Sequence, residues 1–353
     1  MAPSTLDKLN PTGQRLDKFR SAELDEVLGL QFSVLDRGFV RVVDYMGGDE
    51  AIVQAARVSY GAGTKKAQSD ANLVRYLVRH QHLSPLEMCE IKFHVKLPIF
   101  VARHFIRHRT ASVNEMSGRY SIMEHEFYLP AEQDLNLQST TNQQGRSSET
   151  LSPGEMGRVL AAMKTEALDV FQSYESYINA GLAREVGRIN LPLSTYTQWY
   201  WKIDLRNLLN FLSLRNSERA QLEIRKYAQV MAEIVKAWCP VTYEAFNDYV
   251  VEGLHLTRQD RVVIQKLLAA HSNVSTAHES PTFSIAELAS VSPGERREII
   301  EKLRLLGFDF EQDAVAHAET GVTGVAKPED IVETMQELAD LPTAGKNDPA
   351  DVS

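Results

Sequence analysis

Residues 107–120, RHRTASVNEMSGRY, carry the densest hydrogen-bonding chemistry in the chain. Arg107, His108 and Arg109 stand in a row. Ser112, Asn114, Glu115, Ser117, Gly118 and Arg119 follow, with only Ala111, Val113 and Met116 to feed a core. Arginine forks grip carboxylates and phosphates bidentately and keep their charge when partly desolvated. A turn rich in Ser, Asn and Gly offers hydroxyls and approachable backbone N–H groups, a nest for phosphate oxygens. Glu115 is paradoxical beside an anion unless it accepts hydrogen bonds from a ribose or base, or orients an arginine. The bland alternative is a charged helix end with solvated side chains. Polar residues interleaved with small ones, rather than with Lys and Glu, weigh against it.

The rest of the chemistry is sparse. Cys89 and Cys239 are the only cysteines, which fits a reducing cytoplasm and no disulfide framework. Neither has a cationic neighbour in sequence to depress its pKa, so both read as structural rather than nucleophilic. No metal is expected. The start of the chain has no apolar signal core and no run of eighteen apolar residues occurs, so the expectation is neither standard secretion nor a membrane span. The net charge of −9 is uneven: residues 254–353 hold 9 Lys/Arg against 17 Asp/Glu, leaving 29 against 30 for residues 1–253. A near-neutral body with local arginine clusters suits a small anionic ligand better than a long polyanion.

The elements that must position these groups can be read from periodicity. Residues 1–31 form an N-terminal extension with a short helix in SAELDEVLGL. FSVLDRGFVRVVDYMG reads as a hairpin around Asp36-Arg37-Gly38. DEAIVQAARVS and ANLVRYLVRH have helical spacing, and EIKFHVKL alternates as a half-buried strand. Pro98 suits the first turn of a helix through about His108, and SIMEHEFYLP could return as a strand. Residues 132–151 are polar and breaker-rich, which predicts a mobile surface loop. Ser152-Pro153-Gly154-Glu155 starts a helix to about Asn179, ended by Gly181. Further helices are expected over LAREVGRIN, from about Leu205 to Leu214, and from Ser217 to Ala237. The boundaries drawn are a catalytic domain over 32–253, an acidic helical appendage over 254–341, with helix starts at Ser292-Pro293 and Pro328, and a disordered tail over 342–353.

RHRTASVNEMSGR resembles, at all eight specified positions of thirteen, the signature of the flavin-dependent thymidylate synthases. RGFVRVVDYMG, LVRHQHLSPLE, FHVKLPIFVAR, EVGRINLPLSTYTQWYWK, LRNLLNFLSLR and CPVTYEAF look like segments of the same family, over roughly residues 34–250. The resemblance implies methylation of dUMP to dTMP, with methylene-tetrahydrofolate giving the carbon, reduced FAD the hydride and NADPH the electrons. It implies dUMP contacts at His104, Arg107, Glu115, Met116, Ser117, Gly118, Arg119, Arg188 and Arg215. It implies FAD contacts at His82, Ser84, Arg107, His108, Arg109, Glu115, Asp204, Arg206 and Asn210. Arg215 would be catalytic, stabilising negative charge on the uracil. His104 departs from the family, where Gln is common. His94 is expected to be solvated or structural. Tyr196, Trp199, Tyr200 and Trp201 are expected to pack a core or a subunit interface. The fold implied is α+β, a small mainly antiparallel sheet with long helices, in a cytoplasmic homotetramer with sites at subunit junctions. The rivals are a flavoprotein reductase or inactive structural homologue, and a nucleic-acid-binding module, which the charge balance of residues 1–253 disfavours.

Overall fold

The computed structural model describes residues 17–58, 70–140, 144–272 and 293–306. Tertiary contacts divide the chain into two units, Met1–Gly253 and Leu254–Ser353. The architecture is α+β, as expected.

In the first unit, helix α1 (Ala22–Val27) is capped by Ser21 and buries Leu24. Strands β1 (Gln31–Val34) and β2 (Gly38–Met46) make the expected hairpin, with Val34 opposite Gly38. A Cβ at Gly38 would lie 2.0 Å from the Tyr227 hydroxyl, which itself donates to the Lys96 carbonyl, so only glycine fits this turn. Helices α2 (Asp49–Val58) and α3 (Asp70–Arg79) follow, and a 3-10 turn (Ser84–Met88) leads into β3 (Glu90–Pro98). Helix α4 (Ile99–Phe105) comes next. Pro98 is its N-cap, one position earlier than expected, and the helix ends before His108, so the Arg-His-Arg run lies in a turn.

Strand β4 (Ser112–Glu115) was not expected: four of the thirteen signature residues are a strand, not a turn. SIMEHEFYLP does not return as a strand. It makes one isolated bridge, Phe127 to Thr195, with Tyr196 N–H on the Glu126 carbonyl at 2.8 Å and Tyr128 N–H on the Ser194 carbonyl at 2.9 Å. Among the described residues of 132–151 a hairpin forms rather than a loose loop: β5 (Asn136–Gln138) pairs with β6 (Arg146–Thr150). Arg146 pins it by an ion pair to Glu223, whose side chain is 2% exposed. Alternation of polar residues hid these strands, since neither face of the hairpin is apolar.

Helix α5 (Pro153–Asn179) carries the expected capping box of Ser152 and Glu155 and stops at Gly181, where φ is +86°. Over LAREVGRIN only a single turn forms, α6 (Arg184–Gly187), followed by a 3-10 turn (Arg188–Asn190). Strand β7 (Tyr196–Asp204) was missed because its aromatic run masks the period of two. It lies between β3 and β4 in an all-antiparallel sheet of order β1-β2-β3-β7-β4. Helices α7 (Leu205–Arg215), α8 (Leu222–Trp238) and α9 (Pro240–Phe246) complete the unit. Helix α8 starts at Leu222, because residues 217–220 form a turn closed by Ala220 N–H on the Ser217 carbonyl, 2.9 Å.

One face of the sheet is the core. Ile91, Phe93 and Val95 of β3, with Trp199 and Trp201 of β7, are at most 2% exposed and pack with Phe105, Phe211 and Tyr227 of the helices. Tyr196 is also buried, whereas Tyr200 points to the other face and is 45% exposed. Fully burying one such aromatic contributes on the order of 1.5–3 kcal/mol.

The second unit shows helices α10 (Arg258–Ser272) and α11 (Pro293–Leu305). Lys302 Nζ reaches the buried Asp260 carboxylate at 2.7 Å and ties the two together. Ser292, Gly307, the Pro328 helix and the tail lie outside the described residues.

Candidate functional site

Three groups of the expected site residues are visible. The first lies where α4 and α7 end. Arg215, the last residue of α7, donates its Nε–H to His108 Nε2 at 3.1 Å, and the His108 ring sits edge-on to Phe211. His104, one turn earlier on α4, has its Nδ1 buried without a hydrogen-bond partner. Burial first, then the charges of Arg215 and Arg107, hold the His104 imidazole below its ordinary value. Burial and Arg215 do the same to His108. Both rings are therefore neutral at pH 7, and the bond from Arg215 requires an unprotonated Nε2 on His108. Burial also lowers the Arg215 guanidinium, which stays charged. His104 and Arg215 line a cavity of about 720 Å³.

The second group is the signature strand and the loop after it. Thr197 Oγ1 on β7 donates to Glu115 Oε1 at 2.7 Å, so the neighbouring strand aims this carboxylate. Met116 N–H bonds the Gln198 carbonyl at 2.9 Å. Ser117 accepts at its carbonyl from Tyr120 and Ser121 N–H, 3.1 Å each, which closes the turn holding Gly118 and Arg119. Gly118 is buried against Arg188: a Cβ there would sit 3.1 Å from Arg188 Cδ and 2.9 Å from Met123 Sδ. Arg119 Nε donates to Glu185 at 3.2 Å, both side chains being 57% exposed. Residues 66 and 70 positions apart in sequence are thus in contact, as a shared anion site requires.

The third group lies on α3, the 3-10 turn and the start of α7. Arg206 and Asn210 line a cavity of about 380 Å³ with Gln81, Leu83 and Ser213. Arg206 pairs with Glu87. His82 meets Tyr76 edge-on and lies tilted to His80 in a small ring cluster. Ser84 opens the 3-10 turn without capping it; Leu83 holds the cap position. The Asp204 side chain is the N-cap of α7, accepting from Asn207 N–H at 2.9 Å, so any ligand contact there falls to its backbone. Arg107 and Arg109 are exposed and do not line this cavity.

Sequence reasoning missed several neighbours. His94 is not simply solvated: it is partly buried, bonds Gln198 Oε1 at 2.9 Å, meets Arg41, and lines a recess of about 310 Å³ with Glu115, Met116 and Tyr200. Burial lowers its pKa, Gln198 opposes that, and Arg41 adds to it. Glu185 was missed although it stands three residues before Arg188 on the same turn. Glu223 and Arg146 gave no signal, since the two lie 77 residues apart.

The cysteines are inert. Both are fully buried. Burial, the neighbouring Cys89 thiol and nearby Asp49 hold the Cys239 thiol well above its ordinary value, which disfavours a thiolate.

A fold with this sheet, and a site of converging arginines, glycine and carboxylate without an activated thiol, define a nucleotide-modifying protein of the α+β class. The chain belongs to the family described as thymidylate synthase complementing protein, whose model matches residues 41–241. It is 52% identical over 276 residues to the flavin-dependent thymidylate synthase of Gluconobacter oxydans, covering 77% of this chain and 91% of that one. It is 54% identical over 246 residues to that of Wolbachia pipientis, covering 70% and 86%. Since 77% of 353 residues is more than the 253 of the first unit, the first likeness extends past Gly253, beyond the 34–250 expected. Among solved structures it is similar to a UMP/dUMP methylase, PolB of Streptomyces cacaoi, bound with 5-Br UMP. The TM-score is 0.56 at 33% identity, covering 62% of this chain and 98% of that one.

Proposed function

We propose that the protein converts dUMP to dTMP with methylene-tetrahydrofolate as carbon donor, FAD as the flavin and NADPH as its reductant. The observation that carries this reading is the Arg215–His108–His104 cluster: a partly buried guanidinium beside two imidazoles kept neutral, one with an unpartnered Nδ1. Such a place has positive charge and an unmade hydrogen bond to offer. Arg215 would face the uracil edge and stabilise negative charge as N3 loses its proton, making C5 more nucleophilic. His104 Nδ1 would supply the hydrogen bond that its burial leaves unmade. Arg119, Arg188 and the Gly118 backbone would take the phosphate, and Arg119 would exchange Glu185 for it. Glu115, aimed by Thr197, would accept from the sugar or base.

FAD, when bound, supplies the hydride. The residues present fit it: Arg206 and Asn210 line an open cavity suited to a polar, anionic nucleotide end, with His82 and Ser84 on adjoining elements. Arg107, His108 and Arg109 project from a different element. That division suits a homotetramer whose sites are completed across chains, in a reducing cytoplasm. Exposed apolar side chains on α5, α6 and the following loop support assembly, among them Leu168 (47%), Val186 (44%), Ile189 (71%) and Leu193 (65%).

The test is anaerobic incubation of the purified protein with FAD, NADPH, dUMP and methylene-tetrahydrofolate, and with each omitted in turn. Formation of dTMP only in the full mixture is expected. NADPH oxidation without dTMP in the full mixture would reduce the protein to a flavin reductase.

A further inference from the structure

The cavity shared by His104 and Arg215 has a wall that the family signature does not supply. Asn136, Gln138, Arg146 and Ser147 of the β5–β6 hairpin line it, opposite the turn that joins α7 to α8. The hairpin is not held by apolar contacts. It is held by a charge set anchored on Glu223, in the first turn of α8 and 1% exposed. Arg146 pairs with that carboxylate and also donates to the Asp134 carbonyl at 3.1 Å, using two arms of its fork. The Tyr128 hydroxyl donates to Glu223 Oε1 at 3.2 Å and Gln221 Nε2 to Oε2 at 2.9 Å. Lys226 adds a second tie, 3.1 Å to Asp134.

A buried ion pair is weak evidence of stability, because desolvation offsets most of the attraction and apolar residues of similar volume often hold as well. What a carboxylate held by three side chains provides is a fixed orientation. That orientation is of use here only to the cavity. Glu223 also lies close enough to His104 to favour its protonated form, against burial, Arg215 and Arg107, which disfavour it.

We propose that Arg146 and Glu223 are positioning residues for the reaction: they fix the hairpin as one wall of the cavity that holds His104 and Arg215, and so set how the organic substrates bind there. This rests on the reading of the site given above. The wall lies outside the signature, so it is where relatives with the same catalytic residues can differ in substrate fit.

The experiment is steady-state kinetics and calorimetric dUMP binding on the full-length holoenzyme. The variants are Arg146→Ala, Arg146→Lys, Glu223→Gln and the double Arg146→Met/Glu223→Leu, with melting temperature and FAD content recorded for each. Arg146→Ala should raise KM for dUMP or for methylene-tetrahydrofolate by about tenfold, the scale of one lost oriented contact, with kcat within about threefold. Arg146→Lys should recover only part, since an ammonium cannot serve Glu223 and the Asp134 carbonyl together. Glu223→Gln should move the acid limb of kcat/KM to lower pH, because the carboxylate that favours protonated His104 against burial, Arg215 and Arg107 loses its charge. The double variant decides between fit and folding. It should melt near the wild type, as apolar replacement of a buried pair allows, yet keep the raised KM. If it and Arg146→Lys melt and bind like the wild type, with the acid limb unmoved in Glu223→Gln, the pair is structural only and the proposal is overturned. Absence of dTMP from the wild type would instead sink the parent reading, and the calorimetric arm would still test the wall.

Discussion

Gly118→Ala separates the nucleotide role of Arg188 from ordinary packing. Gly118 has no left-handed φ, so its backbone tolerates alanine and the unfolded chain loses freedom, a gain of about 0.4–1 kcal/mol. Against this, the new methyl would lie 2.9 Å from Met123 Sδ, 3.1 Å from Arg188 Cδ and 3.3 Å from an Arg188 terminal nitrogen. Met123 is 6% exposed, packs with Phe171 and Tyr174, and gives its N–H to the Tyr174 hydroxyl at 3.0 Å, so it has little room to withdraw. Overpacking of this kind costs about 1–3 kcal/mol. The net is a loss of roughly 0–2.5 kcal/mol, or a few degrees in melting temperature for a unit of this size. Arg188 is the more mobile neighbour and should yield by several tenths of an ångström. If it grips the phosphate, a group unchanged during reaction, the displacement should raise KM for dUMP about tenfold and leave kcat nearly intact. The assay is dUMP-dependent dTMP formation with melting temperature and FAD content in parallel, and Arg188→Ala as the comparison. A melting temperature that falls while KM for dUMP stays put would show that Arg188 fills space and does not bind nucleotide.

Arg119→Ala should likewise raise KM for dUMP more than it lowers kcat, by about ten- to a hundredfold for a charge-assisted contact. Arg215→Ala should lower kcat by roughly 10²–10³, the scale of a lost oxyanion donor; the reverse pattern in steady-state kinetics would exchange the two roles. The double Cys89→Ser/Cys239→Ser protein should keep substantial turnover while melting lower, since each buried hydroxyl costs about 1–3 kcal/mol unless bonded, and loss of turnover from a folded, flavin-bound protein would revive a thiol nucleophile. His104 has its folded-state pKa lowered, so its neutral form is favoured by folding. Its contribution is complete above the unfolded value of about 6.5 and is lost as pH falls through the lowered folded value. Melting curves of His104→Gln and wild type between pH 5 and 8 should therefore converge toward low pH, and parallel curves would count against a depressed imidazole.

The elements with apolar alternation or helix caps were legible in the sequence: β3, whose buried and half-buried residues alternate, and α5, whose capping box and terminal Gly181 are local signals. The β5–β6 hairpin and β4 were not, because each is mostly exposed and polar and is placed by distant partners, Glu223 for one and β7 for the other. The same reason divides the candidate site. The clustering of Ser117, Gly118 and Arg119 is written in adjacent residues, but the contact of Gly118 with Arg188 depends on where α5 returns the chain. Similarly, the depression of His104 comes first from its burial and then from Arg215, which is 111 positions away.

Strand β7 carries none of the arginines, yet it packs against or caps the elements of all three groups. Thr197 aims Glu115, and Gln198 holds Met116 through its carbonyl and His94 through its amide. On the core face Trp199 and Trp201 pack on Phe105, and Trp201 on Phe211. Phe105 adjoins His104 in the chain, and Phe211 lies one turn before Arg215. Asp204, where the strand ends, caps α7 and so fixes the helix that bears Arg206, Asn210 and Arg215. Nine residues of α7 separate Arg206 from Arg215, two and a half turns, which sends them to opposite sides of one rigid rod. A change of volume at Trp201 would therefore reach Arg215 and His104 together, through Phe211 and Phe105, because close-packed interiors pass strain on rather than absorb it. The candidate site residues sit on helix ends and a short loop, and one nine-residue strand packs against the elements that carry them.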